Sequence, residues 1–365
     1  MKLSTTSLYI TVLLTYCFSC NIRDADSNYS AAIKNSERLL DSIRVAQNIP
    51  GIDAAVAIDG KIVWSKGFGF ADLENEVKVI PGVTRFRIGS VSKPLTSAAL
   101  GKLIDAGKID LNESLYSYLP DFPHKKYPIT LKQIGGHIAG IRHYRGNEFL
   151  MNARFNSVTS SLSIFKDDSL LFEPGTNYSY SSYGFNLLSA VIEKASGEAF
   201  LPFIQREVFS ALGMNNTCPD FYDSIIVHRT SFYALDSAYN VINAPAVDNS
   251  YKWAGGGFLS TTTDLIKFGE AHMTSGFLSA TTLNTFTTSQ VLANGDSTSY
   301  GIGWRTYHHD GFQGFGHTGG SVGGITAFRV YPTEKMVLVL LSNSSDTKYG
   351  NVGDQIVKQF LGAKP

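Results

Sequence analysis

The sequence of 365 residues has three cysteines, no excess of charge of either sign and no basic run. Lysine and arginine together number 31, and aspartate and glutamate also number 31, so the formal net charge is zero. A chain without excess positive charge has no overall attraction to nucleic acid or to anionic lipid. We therefore expect no nucleic-acid partner, and any activity has to come from a localised site.

The scarcity of cysteine excludes a disulfide framework, because two of the three, Cys17 and Cys20, lie in the N-terminal segment. We expect Cys218, the remaining one, to be a structural thiol. None of the eight histidines forms a His-Glu-x-x-His motif, and no cysteine pair outside the N-terminal segment has zinc spacing. The sequence therefore predicts neither a metal site nor a cofactor.

The first twenty residues are typical of an export signal. Lys2 is followed by an apolar run over residues 8–18, which is too short to span a bilayer comfortably. Ser19 before Cys20 resembles a bacterial lipoprotein cleavage site, which would make Cys20 the lipid-anchored N-terminus of a protein in the periplasm or cell envelope. The alternative is an anchor helix that is never cleaved. Apart from this segment, nothing indicates contact with a membrane.

The rest of the chain has the composition of a packed protein, with 43% hydrophobic and 17% charged residues. Asp59-Gly60 separates two β-favouring runs, 54–58 and 61–65, which predicts a hairpin. A second hairpin is predicted near the other end, where residues 332–335 separate runs 324–331 and 336–342. The helical patterns are at residues 31–48, 92–106, 111–118, 184–197, 200–212, 262–275 and 349–361.

This order of elements predicts an α/β fold with one antiparallel sheet built from both chain ends and flanked by helices. A mostly helical region is inserted between the two ends. We expect a single catalytic domain over residues 27–362, with the α/β part at about 27–89 and 255–362 and the helical part at about 90–254. The crevice between the two parts is the expected position of a site.

The pattern Ser-x-x-Lys occurs three times, at residues 90–93, 163–166 and 345–348. On a helix these two positions share a face, so a neutral lysine can take the proton of the serine one turn back. Only Ser90 precedes a run of small residues that predicts a buried helix. A helix N-terminus favours developing negative charge, so Ser90 is the candidate nucleophile and the other two serines are predicted to be ordinary surface residues.

Residues 319–323 match the G-x-S-x-G motif of the nucleophile elbow in α/β-hydrolases, with Ser321 at its centre. That elbow requires a helix after the serine, whereas a strand is predicted over 325–331. It also requires a later histidine, and the last histidine of this chain is His317. Ser321 is therefore not predicted to be a nucleophile.

Three further segments follow Ser90 in a fixed order: Tyr180-Ser181-Ser182, the glycine run at residues 255–257, and His317-Thr318-Gly319. Together with Ser90 and Lys93 they resemble the serine β-lactamase and penicillin-recognising family, in its class C-like branch. The resemblance covers nearly all of residues 30–362. Residues 134–144 and 248–257 resemble most closely the branch of the mitochondrial serine β-lactamase-like proteins.

The resemblance implies a role for each residue of these motifs. Ser90 would form an acyl-enzyme, Lys93 would hold or remove its proton, and Tyr180 would carry a proton to the leaving group. His317 would replace the usual lysine of the third motif. The family's use of Lys93 and Tyr180 requires pKa values below their ordinary range near 10, and we expect burial and neighbouring cations to provide that shift.

The resemblance also implies a set of substrate-binding positions. The backbone N–H groups of Ser90 and Gly320 would form an oxyanion hole, and Thr318 and Gly319 would shape the strand edge beside the substrate. Ser182 stands where the family has an asparagine. Two readings stay open for Arg142 and His143: either they line the cleft and bind an acidic group, or they belong to a structural loop with a buried ion pair.

The sequence therefore predicts a serine hydrolase that acts through Ser90 on peptides, D-amino-acid amides or esters. Ser182 replaces an asparagine and His317 replaces a lysine, so at most weak β-lactamase activity is expected. The alternative is a non-enzymatic member that keeps the fold as a binding or assembly module. The expected partner is a small-molecule or peptide substrate, and the sequence does not indicate an oligomeric state.

Overall fold

The computed structural model describes residues 27–309 and 311–363, so the predicted export signal with Cys17 and Cys20 lies outside the described residues. Its strands are β1 Gly51–Ile58, β2 Lys61–Asp72, β3 Val77–Lys78, β4 Phe86–Arg87, β5 Cys218–Pro219, β6 Tyr233–Leu235, β7 Val241–Asn243, β8 Phe258–Ser260, β9 Arg305–His309, β10 Phe312–Ser321, β11 Gly324–Tyr331 and β12 Met336–Ser342. Seven of them form one antiparallel sheet in the order β3-β2-β1-β12-β11-β10-β9. The predicted sheet from both chain ends is confirmed, because β1 pairs directly with β12.

The helices are α1 Ser30–Ala46, α2 Ser92–Asp105, α3 Leu115–Tyr118, α4 Leu131–Gly135, α5 Val158–Ser161, α6 Ser182–Ser196, α7 Phe200–Ile204, α8 Trp253–Gly256, α9 Thr262–Ala271, α10 Ala280–Thr287 and α11 Val352–Gly362. Short 3-10 turns include Gly89–Val91 and Asn249–Lys252, and a π-helical segment covers Gln205–Ser210. Within the part of the chain that the structure describes, we find no helix with the length and apolarity needed to cross a membrane.

Both faces of the sheet are covered by helices, which explains why β1 is buried along its whole length. Alternate residues of β1, such as Ile52 and Val56, pack with α1 and α11 in one apolar cluster. The residues between them, such as Ala55 and Ala57, face the second and larger cluster, which also contains α9 and the helical region. The two hairpins, β1–β2 and β11–β12, form where the sequence predicted them.

Three predicted helices are shorter or less regular than expected. The helix expected over 111–118 begins only at Leu115, because the Ser114 side chain accepts the N–H of Tyr116 and so caps the helix there. The helix expected over 200–212 changes at Ile204 into the π-helical segment. The helix expected over 262–275 ends at Ala271, where His272 Nδ1 lies 2.7 Å from the carbonyl oxygen of Phe268.

The sheet and the helical region meet where β10 packs against the 3-10 turn that leads into α2. Gly319 makes this approach possible, because a methyl group built on it would lie 1.9 Å from the carbonyl oxygen of Ile88. The next residue, Gly320, has open space on its side, with the nearest atom, Ile325 Cδ1, at 3.8 Å. A Cβ atom built on Gly89 would lie 2.5 Å from the carbonyl oxygen of Gly320, so the residue before Ser90 is in close backbone contact with Gly320.

This difference between the two glycines predicts different effects of adding one methyl group. Gly319→Ala should lower the free energy of unfolding by about 2 kcal/mol, because the backbones of β10 and residue 88 must separate. Gly320→Ala is the matched control and should change that free energy by less than about 0.5 kcal/mol. Urea unfolding of both variants measures the difference, and equal stability of the two would contradict the packing described for Gly319.

Candidate active site

Lys93 lies on the first turn of α2, fully buried beneath Ser90. Its Nζ lies 3.1 Å from Ser90 Oγ, 3.0 Å from Ser182 Oγ and 2.6 Å from the carbonyl oxygen of Gly255. All three of these partners are uncharged. The amine is thus held by three oxygen atoms without forming an ion pair with any described residue.

The surroundings of Lys93 favour its neutral form. Burial lowers the pKa of Lys93 well below its ordinary value, and the nearby cations Arg305 and Lys252 lower it further. A neutral amine has two N–H groups and one lone pair, which fits the three contacts if it donates to Ser182 and Gly255. The lone pair then faces the Ser90 hydroxyl, and the predicted lowering of the Lys93 pKa is confirmed.

Tyr180 stands next to this pair, with its ring centroid 4.8 Å from Lys93 Nζ and 4.4 Å from the His137 ring. Its hydroxyl is buried and has no hydrogen-bond partner among the described residues. Burial raises the pKa of Tyr180, and the nearby Ser90 and Arg305 only partly oppose the rise. The expected lowering of this pKa is therefore wrong, since burial outweighs the cations, and Tyr180 carries its proton in the resting site.

His317 on β10 uses both ring nitrogens within the protein. Nδ1 lies 2.5 Å from the carbonyl oxygen of Thr318, which can only accept, so Nδ1 carries the hydrogen. The Tyr300 hydroxyl, 2.9 Å away, therefore donates to Nε2. Burial and the neighbouring basic side chains Lys93 and Arg305 hold the pKa of His317 well below its usual range, so the ring is neutral.

Residues at the end of β10 differ in their exposure. Thr318 and Gly320 are exposed and line the cleft, and His317 also lines it although it is buried, whereas Gly319 is buried and does not line it. Ser90 also lines the cleft, which is the placement that the predicted oxyanion hole requires. Gly319 differs from its predicted role beside the substrate, because it faces Ile88 rather than the cleft.

Arg142 and His143 are neighbours in sequence but have different positions relative to the cleft. Arg142 does not line the cleft: its guanidinium pairs with Glu148 at 2.7 Å and with Asp168, which places it in a structural ion-pair network. His143 does line the cleft, and its Nδ1 accepts the N–H of Ser182 at 3.1 Å. Burial lowers the pKa of His143 to about 4, so it is a neutral acceptor that fixes the position of Ser182.

The other candidate serines have ordinary roles. Ser321 is followed by a two-residue turn and strand β11, so the helix that an elbow requires is absent, as predicted. Ser345 reaches the cleft, but its Oγ accepts the N–H of Gly323 at 2.7 Å. Ser163 is exposed and donates to the carbonyl oxygen of Ser160.

Sequence patterns missed three residues around the cleft, which has a volume of about 360 Å³. Arg305 on β9 lies 5.5 Å from the Tyr180 ring, and Lys252 ends the 3-10 turn Asn249–Lys252. Tyr300 positions His317. The described lining includes both cations and no carboxylate. Arg305 belongs to no motif recognised in the sequence, whereas Lys252 lies inside the segment 248–257 that carries the family resemblance, which did not assign it a role.

A buried network around Arg87 connects the walls of the cleft. Arg87 Nε pairs with Asp220 at 2.6 Å, and its Nη1 donates to the carbonyl oxygen of Val322 at 2.8 Å. Asn249 Nδ2 also donates to Asp220, at 2.8 Å. The network thus joins the strand before Ser90, the turn after β10 and the 3-10 turn that ends at Lys252.

Comparisons with known proteins agree with this geometry. A family profile described as Beta-lactamase matches residues 36–361. The human mitochondrial serine beta-lactamase-like protein LACTB (Homo sapiens) is 35% identical over 312 residues, an alignment that covers 67% of this chain and 57% of the relative. The chain thus spans little more than half the length of that curated relative.

Two solved structures share the fold. The octameric penicillin-binding protein homologue from Pyrococcus abyssi has a TM-score of 0.78 and 23% identity, with 90% of this chain and 77% of that chain covered. The D-amino acid amidase from Ochrobactrum anthropi SV3, complexed with L-phenylalanine amide, has a TM-score of 0.77 and 20% identity, with 92% of this chain and 98% of that chain covered. At these identities the likeness concerns the fold alone.

The position of Arg305 predicts its effect on the pH dependence of Ser90. Because this cation lowers the pKa of Lys93, Arg305→Gln should raise that pKa and move the acidic limb of Ser90 reactivity to higher pH. The measurement is the rate of labelling by a fluorophosphonate as a function of pH. Arg206→Gln, which removes an exposed arginine paired with Glu198 and Glu207, is the control and should leave the profile unchanged. A shift to lower pH would contradict the assignment.

Proposed function

Because this chain belongs to the beta-lactamase family of serine hydrolases, we propose that it cleaves esters or amides through an acyl-enzyme on Ser90. The observation that carries the proposal is the contact of Lys93 Nζ with Ser90 Oγ at 3.1 Å, in a buried pocket without a carboxylate partner. A neutral amine at hydrogen-bond distance is the base that a serine nucleophile needs.

In the acylation step, Ser90 Oγ attacks the substrate carbonyl carbon while its proton moves to the lone pair of Lys93. The negative charge on the carbonyl oxygen is stabilised by the backbone N–H groups of Ser90 and Gly320. Tyr180 then donates its hydroxyl proton to the leaving nitrogen or oxygen as the scissile bond breaks. Lys93 returns the first proton to Tyr180, so the amine is neutral again when the acyl-enzyme has formed.

In the deacylation step, water attacks the ester carbonyl of the acyl-enzyme. The proton of the water passes to the neutral amine of Lys93, and Ser90 Oγ leaves with a proton that Tyr180 donates and that Lys93 then restores to Tyr180. The raised pKa of Tyr180 suits the donating part of this cycle, because the hydroxyl keeps its proton until a leaving group with a higher proton affinity forms beside it.

The proposed substrates are peptides, D-amino-acid amides or esters. The fold shared with a D-amino acid amidase supports an amide substrate. Ser182 is occupied by Lys93, and its short hydroxyl cannot hold a side-chain amide as an asparagine would, so β-lactams should be poor substrates. Arg305 lies beside Tyr180, which serves the leaving group, so a carboxylate on the leaving half would find a cation there.

The proposal is tested by comparing wild-type protein with two variants. Ser90→Ala should lose fluorophosphonate labelling and all turnover of 4-nitrophenyl esters and D-amino-acid amides. Tyr180→Phe should keep its fold but turn over at least about 100-fold more slowly, because the leaving group lacks its proton donor. Labelling that persists in Ser90→Ala, or a wild-type protein that reacts with none of these compounds, would favour the non-enzymatic binding or assembly module instead.

We also propose that the chain is exported and lipid-anchored at Cys20, since the segment before it has the pattern of a lipoprotein signal. The site would then work in the periplasm or cell envelope. Cells fed an alkyne-bearing palmitate should attach it to the wild-type protein and not to Cys20→Ala, whereas Cys218→Ala, the control, should keep the label. Equal labelling of wild-type protein and Cys20→Ala would refute the anchor.

A further inference from the structure

Lys252 is a second buried lysine of the cleft, and the mechanism above does not use it. It is 2% exposed, it forms part of the cleft wall, and its Nζ has no hydrogen-bond partner among the described residues. Aromatic rings surround the amine, with centroids at 4.4 Å for Phe149, 5.1 Å for Tyr251 and 5.7 Å for Tyr144.

Aromatic faces attract a cation, but they do not replace the oxygen acceptors of an ammonium group. The nearby carboxylate that acts on Lys252, Asp220, is already bound by Arg87 and Asn249. A buried amine without an acceptor is destabilising unless a ligand supplies one. The described lining of the cleft contains no carboxylate, so a bound substrate can supply a charged acceptor that the lining does not.

Lys252 and Arg305 belong to different walls of the cleft. Arg305 lies on β9 of the sheet, with its guanidinium 5.5 Å from the Tyr180 ring. Lys252 lies in the helical part, and its charge acts on Lys93 and on His143, which positions Ser182. Since Tyr180 serves the leaving group, the wall with Arg305 faces the leaving half of a substrate. The acyl half of the substrate would then lie against the wall that contains Lys252.

We propose that Lys252 recognises a carboxylate on the acyl half of the substrate, an inference that rests on the proposed acyl-enzyme at Ser90. The substrates would therefore be esters or amides of acids that carry a second, anionic group. Because the amine is surrounded by rings, such a carboxylate would be shielded from water, and a neutral isostere would leave the ammonium without its acceptor.

Boronic acids test this inference without requiring turnover. Ser90 Oγ adds to boron and its proton passes to Lys93, so the group attached to boron occupies the acyl side. The probes are phenylboronic acids with a carboxylate at ring position 3 or 4, each compared with its carboxamide isostere. At pH 6 the wild-type protein should bind at least one carboxylate about tenfold more tightly than its carboxamide, as expected for a charge-assisted hydrogen bond.

Three variants show which cation is responsible for the preference for carboxylate over carboxamide. Lys252→Met should bind carboxylate and carboxamide about equally, whereas Lys252→Arg should retain the preference because it keeps a cation. Arg305→Met, which removes the cation of the other wall, should also retain it. Fluorophosphonate labelling of Ser90 in each variant shows that the site is folded.

The preference should also depend on pH in a defined direction. Burial and Arg87 lower the pKa of Lys252 to about 7, and Asp220 opposes them. The carboxylate binds the protonated amine, so the carboxylate-to-carboxamide affinity ratio should be about tenfold lower at pH 8 than at pH 6. The other titratable or charged side chains around Lys252 are Arg87, Lys93, His143, Tyr144, Asp220 and Tyr251. Their contribution is measured by the same ratio in Lys252→Met, so the pH dependence due to Lys252 is the difference between wild-type protein and this variant.

The outcomes separate the two proposals. Two results would contradict a role of Lys252 in recognising a carboxylate on the acyl half. One is equal affinity of the wild-type protein for both probes of every pair. The other is a preference for the carboxylate that Lys252→Met keeps and Arg305→Met loses. Neither result would contradict the proposed acyl-enzyme at Ser90. If no boronic acid binds and Ser90 is not labelled, the acyl-enzyme itself is refuted, and the role of Lys252 is refuted with it.

Discussion

The burial of the Lys93 amine among uncharged oxygen atoms is the constraint on which the rest of the site depends. A carboxylate in contact with this amine would keep it protonated, and it could not then accept the proton of Ser90. The structure meets the constraint by placing α2 at the centre of the molecule and by using Ser182 and the Gly255 carbonyl as acceptors. Ser182 therefore belongs to the machinery that holds the base, rather than only to a substrate pocket.

The histidines of the site serve the same electrostatic arrangement. His137 and His143 accept the N–H groups of Ser181 and Ser182 through Nδ1, and His317 accepts from Tyr300 through Nε2. Their pKa values are all lowered, by burial first and by the neighbouring cations. The rings are thus neutral, so Arg305 and protonated Lys252 supply the positive charge on the two walls of the cleft.

Local patterns made much of this structure predictable from the sequence. The two hairpins and the buried helix after Ser90 are determined by residues close together in sequence. Ser90 and Lys93 are likewise only three residues apart, so their proximity follows from the helix between them. The raised pKa of Tyr180 was not predictable, because burial is a property of the assembled fold. Arg305 was missed since only the register of β9 on β10 brings it to Tyr180. Arg142 was ambiguous because its acidic partners, Glu148 and Asp168, are 6 and 26 residues away in sequence.

The pairing of β1 with β12 has a consequence for how the molecule is made. During synthesis the β1–β2 hairpin emerges early, but its inner edge stays open until the last strand is available. Pairing between such distant segments is slow, and an open apolar edge can pair with other chains in the meantime. The strand that carries Gly320 also emerges late. A nascent chain therefore contains Ser90 and Lys93 long before it has a working site, and its reactivity begins only as folding ends.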